Sequence, residues 1–191
     1  ITRYRPRRRQ DDVNTTGRNF GPAGLGVYDT TGNRWGIPRW AQEPTRQVRP
    51  HESVRFPALE PCRVVLLRLY PGIDSDLVER ALKGVDGVVV EAYGSGTGPN
   101  SIRECLKDLT EHAVVVVATE AVWGTVEAGT YATDMVEVGS ALVPCRSMLA
   151  EAAVAKLHYL IGKHRGRGAD WRTKVRELME VSIRGENGET Y

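Results

Sequence analysis

The pattern of apolar and polar positions changes character near Pro61. Before it, stretches such as "TTGRNFGPAGLG" and "GNRWGIPRWAQEPTRQVRP" sustain neither the alternation of a strand nor the apolar stripe of a helix. Beyond it, short β-branched runs alternate with helical patterns, the mark of βαβ units on a parallel sheet. "RVVLLRLY" (63–70), "GVVVEAY" (87–93) and "AVVVVAT" (113–119) predict three strands, and "ALVPC" (141–145) a short fourth.

The stretches between them carry helix signals. In "DSDLVERALKG", Asp74 predicts an N-cap, Leu77, Val78, Ala81 and Leu82 an apolar face, and Gly84 a stop. Ser101 and Glu104 have the spacing of a capping box opening "SIRECLKDLTEH", and residues 131–138 predict a further helix. The clearest helix is Ser147–Lys163, with Leu149, Ala152, Ala153, Leu157, Leu160 and Ile161 at spacings of three and four. Ser147 is its predicted cap, and Lys156 reads as a solvated or snorkelling residue. After the basic turn "GKHRGRG", "DWRTKVRELMEVSIRG" predicts a last amphipathic helix. The expected fold class is therefore α/β: a three-layer domain over residues 61–191, with a small, mostly parallel sheet of about four strands flanked by helices. Residues 1–60 read as an irregular extension, a basic tail followed by a linker.

Charge changes this picture little. The chain carries 26 Lys+Arg against 24 Asp+Glu, a net +2, but five arginines (Arg3, Arg5, Arg7, Arg8, Arg9) lie in the first nine residues. Without them the net +2 becomes −3 over residues 10–191, so the domain lacks the basic face expected of a nucleic-acid binder. Cys62, Cys105 and Cys145 form neither a CxxC pair nor an even set, which argues against a disulfide framework or a zinc site and for a reducing, cytoplasmic setting. His51, His112, His158 and His164 have no metal-ligand spacing. No apolar run approaches the length of a membrane span.

In parallel sheets, ligands sit at the carboxyl ends of strands, and "YGSGTGP" (93–99) occupies such an end. Backbone amides at Gly94, Gly96 and Gly98, followed by a helix start, are suited to a carboxylate or phosphate. The same glycines also suit a tight strand-to-helix turn, and the loop has neither the dinucleotide fingerprint nor a P-loop lysine.

Several segments in order resemble the C-terminal half of the type I, cytoplasmic L-asparaginases: "VVLLRLYPGI", "GVVVEAYGSGTGPN", "VVVVATEAVWGTVEAGTYAT", "EAAVAKLHYLIG" and "VRELMEVSIRGE", together spanning about Arg63 to Glu186. "GNR" (32–34) and "ESVRFPAL" (52–59) resemble the connection between that family's two domains. The resemblance implies hydrolysis of L-asparagine to L-aspartate and ammonia without cofactor or metal. It places the threonine nucleophile in a Thr-Gly-Gly-Thr segment of an N-terminal domain, and the 191 residues contain no such segment. The pair Thr133-Asp134 falls in the wrong domain to replace it. The expectation is a chain inactive by itself, with no catalytic residue.

In that family the C-terminal domain builds a homo-oligomer and lends its glycine loop to a neighbouring active site. The implied substrate-binding residues are Gly94, Ser95, Gly96 and Thr97, with Thr97 standing where the family pattern Tyr-Gly-x-Gly-Asn-x-Pro has asparagine. A hydroxyl lacks the two-ended reach of a carboxamide. Glu91 and Ala121 occupy the positions of an effector-site arginine and cysteine, so that regulation is not expected. The alternative reading is a non-catalytic module, derived from an asparaginase, that binds an amino acid or oligomerises.

Overall fold

The computed structural model describes residues 27–29, 34–36, 57–121, 124–126, 128–129, 134–168 and 170–183. Contacts divide the chain into two units, Ile1–Ala58 with Tyr191, and Leu59–Thr190. In the first, strands β1 (Val27–Asp29) and β2 (Arg34–Gly36) pair antiparallel, Tyr28 opposite Trp35. His51 and the arginine-rich arm lie outside the described residues.

The second unit holds strands β3 (Val64–Arg68), β4 (Gly87–Ala92), β5 (Val114–Thr119) and β6 (Val143–Pro144) in the order β3-β4-β5-β6, and all three pairings are parallel. Helices α1 (Ser75–Ala81), α2 (Asn100–Leu109), α3 (Ala150–His164) and α4 (Trp171–Glu180) complete the expected α/β domain. Every residue of β4 and β5 is buried. Val88, Val90, Val115 and Val117 face the side of α1 and α2, whereas Val89, Val114, Val116 and Ala118 face α3 and α4. Each such valine contributes about 1.5 kcal/mol relative to an exposed position, which is why a continuous valine run is stable only as a strand covered on both faces.

Helix starts follow the sequence where a side chain takes an orphan N–H. Asp74 Oδ1 accepts from Leu77 N at 2.8 Å, and Asp170 Oδ1 from Thr173 N at 3.3 Å. Two expected caps are corrected. Helix α2 begins at Asn100 behind Pro99 with no side-chain cap, so Ser101 already lies inside the helix. Helix α3 begins at Ala150 behind Leu149, three residues beyond Ser147. There a turn closed by Met148 N to Cys145 O at 3.0 Å, with Arg146 at φ 53, holds the chain out of helical geometry.

Three further expectations fail. Leu77 is half exposed, because α1 turns only Val78 and the following Leu82 into the core. Among the described residues no helix joins β5 to β6: of the helix expected at 131–138, residues 134–138 form a bridge, bends and a turn without helix, and 131–133 lie outside the described residues. Lys156 is buried rather than solvated, and its ammonium donates to the carbonyls of Met179 at 2.8 Å and Val181 at 2.6 Å, satisfying the C-terminal turn of α4.

Candidate functional site

The chain leaves β4 at Tyr93 and doubles back over five residues. Tyr93 and Thr97 pair as an antiparallel bridge, Tyr93 N donating to Thr97 O at 3.0 Å. The N–H groups of Gly96 and Thr97 both donate to Tyr93 O at 2.8 Å. Gly94 (φ +48) and Gly96 (φ +106) supply left-handed conformations that a β-carbon disfavours. A side chain at Gly96 would also stand 2.8 Å from Val126 Cγ1. The four expected substrate-loop residues, Gly94, Ser95, Gly96 and Thr97, are thus brought together at the carboxyl end of β4.

The turn itself uses the amides of Gly96 and Thr97, which corrects the expectation of a cradle running from Gly94 to Gly98. Among the described residues, Gly94 N and Ser95 N have no backbone acceptor, so the donors of the loop lie at its tip. The Thr97 hydroxyl lies 3.4 Å from Tyr93 O and turns back on its own loop. Gly98 has a different reason to be glycine: a β-carbon there would lie 2.6 Å from Met135 Sδ and 2.9 Å from Leu69 Cδ1.

Two residues outside the expected set hold the loop. Thr119, at the end of β5, donates its hydroxyl to Gly94 O and accepts from Ala121 N at 3.0 Å. Asp134 is 2 % exposed and forms a second bridge with Thr97, while the next residue, Met135, donates its N–H to Gly96 O at 2.9 Å. Arg103 and Lys107 of α2 pin this segment, reaching Glu137 at 3.1 and 2.7 Å. The Lys107 ammonium hydrogen-bonded to Glu137 holds that carboxyl below its ordinary range. Sequence carried a trace of this clamp in the strand-terminal Thr119, but nothing in the mixed stretch around Asp134 marks a bridge to a loop some 37 positions earlier.

Beside the loop, Glu91 is buried and takes a bidentate pair from Arg68, Nε at 2.6 Å and Nη2 at 2.9 Å. The Tyr93 hydroxyl is shielded from solvent and has no hydrogen-bond partner among the described residues. Among the described residues around the loop, no nucleophile is hydrogen-bonded to a base.

These features define an α/β domain with a clamped glycine loop at the carboxyl edge of its parallel sheet. The chain belongs to the glutaminase/asparaginase C-terminal domain family, whose model matches residues 63–175. It is 32% identical over 126 residues to a component of the glutamyl-tRNA(Gln) amidotransferase of Pyrococcus horikoshii, covering 65% of this chain and 28% of that protein. It is also 32% identical over 138 residues to the L-asparaginase of Thermococcus kodakarensis, covering 71% of this chain and 40% of that protein. Among solved structures, L-asparaginase I of Vibrio cholerae superposes with a TM-score of 0.57 at 28% identity, over 67% of this chain and 38% of that one. The chain therefore spans well under half the length of each of these relatives. Among the described residues, no helix is long and apolar enough to cross a membrane.

Proposed function

We propose that residues 61–191 act as the C-terminal domain of an L-asparaginase-type amidohydrolase, presenting Gly94, Ser95, Gly96 and Thr97 to asparagine in a site whose threonine nucleophile comes from another domain. The observation that supports this most is the loop at the carboxyl end of β4, clamped by Thr119 and the Asp134 segment, with the Gly94 and Ser95 amides at its tip. Donors held in that way suit the carboxylate of an amino acid. The domain joins further copies of itself, so that the loop of one copy faces the site of another. A reducing, cytoplasmic setting agrees with Cys62, Cys105 and Cys145 all being free thiols.

The non-catalytic reading is favoured by one observation: the Thr97 hydroxyl, in the place of a carboxamide, bends toward Tyr93 O rather than outward. A pair of measurements tests the proposal. The purified 191-residue chain is expected to release no ammonia from asparagine, and Thr97→Asn is expected to tighten asparagine binding about tenfold, the worth of one good polar contact. Ammonia release by the chain alone refutes the division of labour, and binding indifferent to Thr97 moves the ligand off this loop. Light scattering is expected to give the mass of at least two chains; a monomer at micromolar concentration contradicts the assembly.

A further inference from the structure

The three cysteines sit in different environments. Cys145 is buried and donates to Met148 O at 2.9 Å, and burial pushes its thiol up to about 12. Cys105, on the inner face of α2, is buried in the core, and burial raises its thiol too. Neither forms a thiolate at neutral pH. Cys62, where the chain enters β3, is partly exposed.

Its neighbours include a proton acceptor and charges of both signs. Cys62 Sγ lies 3.6 Å from Nδ1 of His158, an exposed residue on the outer side of α3, and equally far from the His158 carbonyl oxygen. Beyond it, Arg165 Nη1 donates to Pro61 O and to Asp86 Oδ2, both at 2.9 Å, which fixes a guanidinium close enough to favour a thiolate. Burial, followed by the Asp86 carboxylate, acts in the opposite direction and keeps the resting group a thiol. A thiol in that condition reacts through an adjacent proton acceptor, and with the ring proton on Nε2, His158 Nδ1 is such an acceptor.

We propose that Cys62 is a site of reversible thiol–disulfide exchange with small disulfides, His158 taking and returning the proton. In the exchange the Cys62 S–H bond breaks and its proton passes to Nδ1 of His158. The Cys62 sulfur bonds to one sulfur of the incoming disulfide, the disulfide bond breaks, and the departing thiolate receives the proton from the imidazolium. One disulfide is consumed and one formed, and the incoming disulfide is the only oxidant. The site lies at the amino end of β3, whereas the glycine loop lies at the carboxyl end of β4, so this chemistry is separate from the substrate-facing loop.

Oxidised glutathione is the probe, applied to the native 191-residue chain at neutral pH with the products mapped by intact and peptide mass. The expected result is a single glutathionyl adduct on Cys62, released by dithiothreitol, with Cys105 and Cys145 untouched until the chain is unfolded. His158→Gln, at an exposed position, is expected to keep the circular dichroism of the parent and slow the adduct at least about tenfold. Equal rates in the parent and the variant remove His158 from the reaction. An adduct on Cys105 or Cys145 as fast as on Cys62, or none on the folded chain, overturns the site itself.

Discussion

At the amino ends of the strands one carboxylate ties several elements together, while at the carboxyl ends a loop and a distant segment meet mainly through main-chain bonds. Asp86 Oδ2 accepts from Arg63 N at 2.8 Å and from Arg165 Nη1 at 2.9 Å; its own N–H donates to Arg63 O, and its carbonyl accepts from Val114 N. That single residue connects β3, β4, β5 and the exit of α3. The carboxyl end spreads its hold over Tyr93, Gly96, Thr97, Thr119 and Met135. A side-chain hub concentrates stability in one group, whereas a main-chain clamp leaves side chains such as Ser95 free to vary. This is the usual division between the structural and the ligand-facing ends of a parallel sheet.

The largest effect is expected at the hub. Asp86→Ala strands the Arg63 amide and leaves Arg165 only the Pro61 carbonyl, and urea unfolding is expected to show a loss of about 3 kcal/mol, with Asp86→Asn recovering roughly half. A loss under about 1 kcal/mol would mean that the hub is only one of many equivalent ties. Next is the clamp: Gly96→Ala forces a β-carbon onto Val126 in a left-handed conformation, at a cost of about 2 kcal/mol and with weakened asparagine binding. If stability fell and binding did not, the loop would be scaffold alone.

The smallest effect is a difference in pH response. His164, at the exit of α3 near the hub, has its Nε2 buried without a hydrogen-bond partner among the described residues, and burial followed by Lys163, Lys174 and Arg167 lowers its pKa below the ordinary 6.5. A depressed imidazole contributes stability that is fully present above 6.5 and is lost as pH falls through the folded value. Glu137 at the clamp, also depressed, contributes stability present above 4.5 and lost only below it. Mild acid is therefore expected to loosen the amino end first, and amide exchange resolved by segment checks the order. His164→Gln is expected to flatten the upper part of the profile, and an unchanged slope would exclude this residue as its source.

Sequence revealed the sheet far better than the connections. Val88–Val90 and Val114–Val117 could only be strands buried on both faces, and Asp74 marked a helix start correctly, its carboxylate taking the Leu77 N–H. Ser101 misled because capping needs a non-helical backbone at the serine itself, and Ser147 because the helix starts three residues beyond it. Pro99 had already started α2, and the turn at Arg146 delayed α3. The glycine loop was legible as a turn and as a resemblance. Its clamp was not, since the Thr97–Asp134 bridge is a long-range main-chain contact without a side-chain signature. Lys156 escaped for a related reason: its partners are carbonyls of a different helix, which no local pattern reports.

The valine runs of β4 and β5 have a consequence for alignment. Covered on both faces, they would look nearly the same to the core if one strand slipped a residue past the other, since valine would largely replace valine. The information that fixes their alignment must then sit where the strands stop being uniform. Asp86 at one end, Gly87, where a β-carbon would press on the tips of Ile161 and Leu157, and Glu91 locked to Arg68 at the other are such index marks. Substituting among the interior valines trades volume for volume, whereas editing these few end residues changes which rung meets which.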